Sequence, residues 1–116
     1  MNVRLLLRFE GLGVFVAALA VYWALGGPLW LLLVLALAPD LAMVGYAAGP
    51  RVGAFVYDAF HVYPLPLAVA GAGLWFGVEY LALAGVVWVG HVGADRAAGY
   101  GLKYETGFSD THLDRA

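Results

Sequence analysis

Residues 28–48 read PLWLLLVLALAPDLAMVGYAA, a run whose only charged side chain is Asp40. Wound as an α-helix at about 1.5 Å per residue, such a run spans about 30 Å, the thickness of a bilayer's hydrocarbon core. Gly26-Gly27-Pro28 and Gly49-Pro50-Arg51 bound it, and Phe76-Gly77-Val78-Glu79 marks one further break. Outward from it, the chain divides into segments at about 5–25, 28–48, 52–76 and 79–97. A chain that is 64% hydrophobic and 12% charged exceeds what a water-soluble domain of 116 residues needs. The sequence therefore predicts an all-α polytopic membrane protein, four transmembrane helices in a compact bundle forming one domain over 1–116. The remaining stretch, 98–116, is polar, contains glycine and is too short to bury a core of its own. It is expected to form a short cytoplasmic tail.

Orientation follows from the basic residues, because cytoplasmic loops carry the excess of Lys and Arg. Arg4 and Arg8 precede or open the first segment, Arg51 follows the second, and Arg96, Lys103 and Arg115 end or follow the fourth. All lie on one side, which places both termini in the cytoplasm of a cell inner membrane. The first segment reads as a span and not as a cleaved signal peptide, since its removal would leave an odd number of spans and discard Glu10. Six basic residues along a lipid boundary do not make a nucleic-acid surface. Membrane lipids, and a second copy of the chain, are the expected partners. With no cysteine, disulfides, thiolate metal sites and a cysteine nucleophile are excluded.

Prolines and glycines set the helix geometry. Pro39, Pro64 and Pro66 each remove a backbone donor, freeing carbonyls near Leu35, Phe60 and Val62 and predicting kinks there. Gly45, Gly49 and Gly53, and Gly73 with Gly77, recur at four-residue spacing, which suits close helix approach in lipid. Tyr100, Tyr104 and Phe108, four apart beside Lys103, suit an interfacial anchor.

The charged residues inside the spans carry the functional information. Counted from each helix's cytoplasmic end, Asp40, Asp58, His61 and His91 all lie about 9–14 Å deep. Glu10 and Asp95 are shallower on the same side. Ionisable groups at such depth are costly in lipid and normally face the bundle interior, paired with one another. Asp58 and His61 are three apart and His91 and Asp95 four apart, so on continuous helices each pair shares a face. Asp40, Asp58, His61, His91 and Asp95 make a nitrogen and carboxylate set suited to zinc, manganese or iron. The same pairs also suit hydrogen-bonded helix contacts without any metal.

With those residues in hand, the chain resembles the small bacterial integral-membrane family known as domain of unknown function 4260. The resemblance begins at Arg8-Phe9-Glu10-Gly11 and runs through Ala38-Pro39-Asp40-Leu41, Gly45-Tyr46, Gly49-Pro50-Arg51-Val52-Gly53, Tyr57-Asp58, His61-Val62-Tyr63 and Pro66. It continues in His91-Val92-Gly93-Ala94-Asp95-Arg96, Gly99-Tyr100-Gly101-Leu102-Lys103-Tyr104, Gly107-Phe108 and Asp110-Thr111-His112-Leu113. It implies a four-helix membrane fold and brings no activity with it.

Three functions are compatible with these residues. One is a metal-dependent hydrolase or lipid-modifying enzyme open to the cytoplasm: a metal-bound water as nucleophile, Glu10 or His112 as general base, Arg96 or Lys103 on an anionic head group. The second is an oligomeric proton- or ion-coupled transporter or channel with Asp40, Asp58, His61 and His91 as relay groups, although the outer half lacks a matching polar path. The third is a structural or partner-binding module. Asp110 and His112 are near enough to the inner mouth for the tail to fold back as a lid.

Overall fold

The structure, a computed structural model, describes residues 2–104 and 107–115, without the side chains of Tyr104, 107–110 and Asp114. Helix α1 (Val3–Ala24) starts at Asn2, whose side chain accepts the Leu5 N–H. Helix α2 (Leu29–Leu37) runs straight into a 3₁₀ helix (Ala38–Ala48), making one continuous rod. Helices α3 (Pro50–Phe60) and α4 (Pro64–Phe76) form a second rod, interrupted at residues 61–63. Helix α5 (Glu79–Ala98) is the fourth. Beyond it, β1 (Lys103–Tyr104) pairs antiparallel with β2 (Gly107–Thr111), and a final turn of helix, α6 (His112–Arg115), closes the tail. The fold is an all-α bundle to which the tail adds a small hairpin.

The outer surface is apolar. Trp23 and Trp75 are 82% and 84% exposed, and Phe55, Leu41 and Val44 also face outward. Three stretches, Val3–Ala24, Leu29–Ala48 and Pro50–Phe76, are long and apolar enough to cross a membrane. Helix α5 has similar length but carries Glu79, His91, Asp95 and Arg96, and it buries nine of its residues inside the bundle. An apolar exterior around a polar centre is the arrangement that lipid favours. Exposed Trp23, Trp30, Trp75, Phe76 and Tyr80 gather at the two turns opposite the tail, as an aromatic belt does at a membrane face.

Glycines decide how closely α5 is held. A Cβ on Gly11 would lie 2.3 Å from the Cβ of Arg96, and one on Gly93 would lie 2.8 Å from the Gly11 carbonyl, so α1 and α5 cross backbone to backbone. Gly85 against Ala70 and Gly73 against Ala82 do the same between α4 and α5. Gly45 and Gly53 pack tightly against Val56 and Tyr46, as their spacing predicts. Gly49 and Gly77 do not belong to that stripe. A Cβ on either would meet nothing within 4 Å, and their φ angles of 110° and 70° show that each makes a turn few other residues adopt.

The tail packs back onto the helices. Leu113 is fully buried and its carbonyl accepts from Arg4 Nε at 2.8 Å, while the Lys103 N–H donates to Asp58 Oδ1 at 2.6 Å. Of the expected interfacial row, Tyr100 is exposed, whereas the Tyr104 and Phe108 side chains, like that of Asp110, lie outside the described residues. The row does not continue a helix, because α5 ends at Gly99 and the chain then enters β1.

Candidate metal centre

The rods' interruptions build the site. In a 3₁₀ helix each carbonyl looks three residues ahead for its donor. For Ala36 that residue is Pro39, which has no N–H. The Ala36 carbonyl instead accepts from His91 Nδ1 at 2.5 Å. At the second break, the donor four residues beyond Phe60 would be Pro64, and the Phe60 carbonyl accepts from Trp88 Nε1 at 2.7 Å. The Tyr57 carbonyl accepts from His61 Nδ1 at 2.7 Å, and that of His61 from Arg96 Nη2 at 2.7 Å. Prolines thus free carbonyls that α5 then uses. His61 is further fixed by parallel stacking on Tyr57, with ring centroids 3.8 Å apart.

A carbonyl can only accept, so both Nδ1 atoms carry the proton and both Nε2 atoms face inward. They face two carboxylates. His91 Nε2 lies 3.1 Å from Asp40 Oδ1 and 3.2 Å from Asp95 Oδ2; His61 Nε2 lies 3.4 Å and 3.5 Å from the same two oxygens. One ligand atom from each of the four residues falls within 4.8 Å of all the others. Four tetrahedral ligands, each about 2.0–2.1 Å from a zinc ion, stand about 3.3–3.4 Å apart. The four nitrogen-to-oxygen separations bracket that value, and the remaining pairs lie within 4.8 Å. His61 is fully buried, whereas the Asp40 side chain is 39% exposed, so the centre opens on the Asp40 side.

Four of the five expected metal residues therefore come together: Asp40, His61, His91 and Asp95. Asp58 does not join them; its Oδ1 holds the Lys103 N–H and ties down the tail. Lys103 is buried with its ammonium 4.9 Å above the Tyr57 ring. Glu10, His112 and Arg96 line a separate groove beside α1, to which none of the four ligands contributes. Sequence reasoning missed the Ala36 and Tyr57 carbonyls that orient the histidines. Pro39 predicts a freed carbonyl near Leu35, but the Leu35 carbonyl accepts from the Ala38 N–H and the freed one is its neighbour Ala36, because the rod tightens to 3₁₀ there.

Residues 4–116 match the family model described as Domain of unknown function (DUF4260), and the chain belongs to that family. No curated protein and no solved structure matches it.

Proposed function

We propose that this DUF4260 protein binds a divalent cation such as zinc, manganese or iron through Asp40, His61, His91 and Asp95, and uses it as a membrane-embedded hydrolase or lipid-modifying enzyme. The supporting observation is the shape of the ligand set. A shared proton would draw each Nε2 toward one oxygen, yet each stands almost equally far from both, at 3.1 and 3.2 Å or 3.4 and 3.5 Å. Two neutral imidazoles and two carboxylates carry two negative charges, which a divalent ion neutralises. Carbonyls on both Nδ1 atoms supply the outer support that metal-binding histidines ordinarily have.

Hydrolysis needs a coordination position for water. Asp40 is the most exposed ligand and sits in the 3₁₀ rod, so its withdrawal would open that position toward the basic, cytoplasmic side of an inner membrane. A transport role is the second reading, and the completed set of four protein ligands favours it, since a site that only holds or hands on an ion needs no vacancy.

Metal analysis of the detergent-purified protein tests the proposal, alongside a His61→Ala, His91→Ala double variant. One equivalent of zinc in the parent, lost in the variant, is the expected result. Absence of metal from both after growth and dialysis with zinc would end it. The two uses are separated on the zinc-loaded parent: hydrolysis of a lipid ester supports the enzyme, and zinc flux into vesicles holding the protein supports the carrier.

A further inference from the structure

We infer that the groove along α1 is a binding site for an anionic membrane lipid, with one acyl chain lying against α1 and the head group at Arg96. The inference is independent of the metal centre. The groove has a cavity volume of about 730 Å³, and Glu10, Tyr63, Arg96 and His112 line its polar end. Along α1 it passes Gly13, Val14 and Ala17. There it meets a second cavity of about 270 Å³, which shares Val14 and Ala17, continues past Val21 between α4 and α5, and has no polar surface. From Leu7 to Val21 the channel covers fourteen residues of helix, about 21 Å parallel to the span. One end is polar and the other wholly apolar, as in a lipid molecule.

Arg96 supplies the charge preference. It is 7% exposed, and its hydrogen bonds go to two backbone carbonyls, those of His61 and Tyr100. No described carboxylate lies within ion-pair distance of its guanidinium, although it forms part of the groove wall. The direct hydrogen bonds of Arg96 go to carbonyls, Asp95 and Asp58 act on it only at longer range, and Glu10 stands in the same groove wall; beside an opening in a lipid-facing surface, an anionic head group would be its one direct charged partner.

Gly13 gives the place to test the groove. Gly11, Gly45, Gly53, Gly73, Gly85 and Gly93 each have a neighbour within 2.8 Å of where a Cβ would stand, so helix packing explains them. A Cβ on Gly13 would meet nothing within 4 Å. Gly71, outside the groove, is equally open, so Gly13 adds only that the groove wall has room at this point.

The test is binding of 1-oleoyl lysophosphatidic acid to the full chain in detergent, compared with monooleoylglycerol, which has the same chain without the charge, and with inorganic phosphate. One equivalent of the anionic lipid should bind about tenfold or more tighter than the neutral one, with phosphate unable to compete. Gly13→Phe fills the groove without touching the helix crossing. It should weaken the anionic lipid by about tenfold or more without lowering the melting temperature or the metal content. Arg96→Gln should abolish the preference for the anionic lipid while retaining chain binding. Equal affinity for the charged and neutral lipids, phosphate binding as tight as the lipid's, or undiminished lipid binding by Gly13→Phe would overturn the inference. Chelation should leave lipid binding intact, so a failed metal centre and a failed groove are told apart.

Discussion

His91 Nδ1 donates to the carbonyl of Ala36 across 55 positions of sequence, and that carbonyl is free because Pro39 offers it no partner. One proline on the α2 rod thereby fixes the tautomer of a histidine on α5. Restoring the N–H with Pro39→Ala should let the rod continue as α-helix and draw the Ala36 carbonyl back into it. Metal affinity should then fall about 10–100-fold, the range typical of lost outer-shell support, with no loss of helix content. Zinc competition titration in detergent measures this. An unchanged affinity would separate the carbonyl from the metal centre.

Much of the site was legible because depth in the membrane is a sum of residue rises. Asp40, His61 and His91 are expected at one level with Asp95 shallower on the same side, and the fold brings the four together. Depth says nothing about direction around a helix axis. His91 and Asp95 keep the shared face expected of an i, i+4 pair because α5 is unbroken, and they meet at 3.2 Å. Asp58 and His61 part company. Helix α3 stops at Phe60, and His61, at φ −121° and ψ 28°, turns its ring to the centre while Asp58 stays with the tail. The kink was foreseen from Pro64 and Pro66; its effect on which side chains share a face was not. Gly13 and the groove left no sequence signal, since a packing glycine and an open one are the same letter.

The helix crossing offers a contrast between two nearby glycines. Gly11→Ala places a methyl 2.3 Å from the Arg96 Cβ and must spread α1 from α5, an overpacking cost of about 1–3 kcal/mol or more. Gly13→Ala meets open space and removes a helix-interior glycine, which stabilises by about 1 kcal/mol or less. Thermal melts in one detergent should order the proteins Gly13→Ala, parent, Gly11→Ala from most to least stable. Equal melting of the two variants would mean that α1 and α5 are not held at this distance.

Asp58 should matter to the tail and not to the metal. Its carboxylate accepts the Lys103 N–H at 2.6 Å, a hydrogen bond to a charged group worth about 1.5–3 kcal/mol. Asp58→Ala should speed proteolysis within residues 99–116, and Asp58→Asn, which keeps an acceptor, should do so less. Both should retain one equivalent of zinc. Loss of metal from Asp58→Asn with an intact tail would move Asp58 into the ligand set.

His112 gives the docked tail a pH dependence of defined sign. The Leu102 N–H donates to its Nδ1 at 2.7 Å, so that nitrogen must stay unprotonated while the tail is docked. Burial pushes the imidazole below its ordinary value of about 6.5, and repulsion from Arg96, which shares the groove wall with Glu10 and Tyr63, adds to this. With the docked form holding its proton less tightly, the released tail binds more protons as pH falls below about 6.5, and docking weakens. The limiting slope is one proton, about 1.4 kcal/mol per pH unit, and it vanishes above pH of about 7.5, where both states are neutral. Hydrogen exchange at the Leu102 and Lys103 amides between pH 7.5 and 5.5, corrected for intrinsic rates, should therefore show protection falling with acid. His112→Asn keeps a side-chain acceptor for the Leu102 N–H without a titrating ring, and its protection should be flat across that window. A parent protein as flat as the variant would show that His112 accepts its proton without leaving the groove.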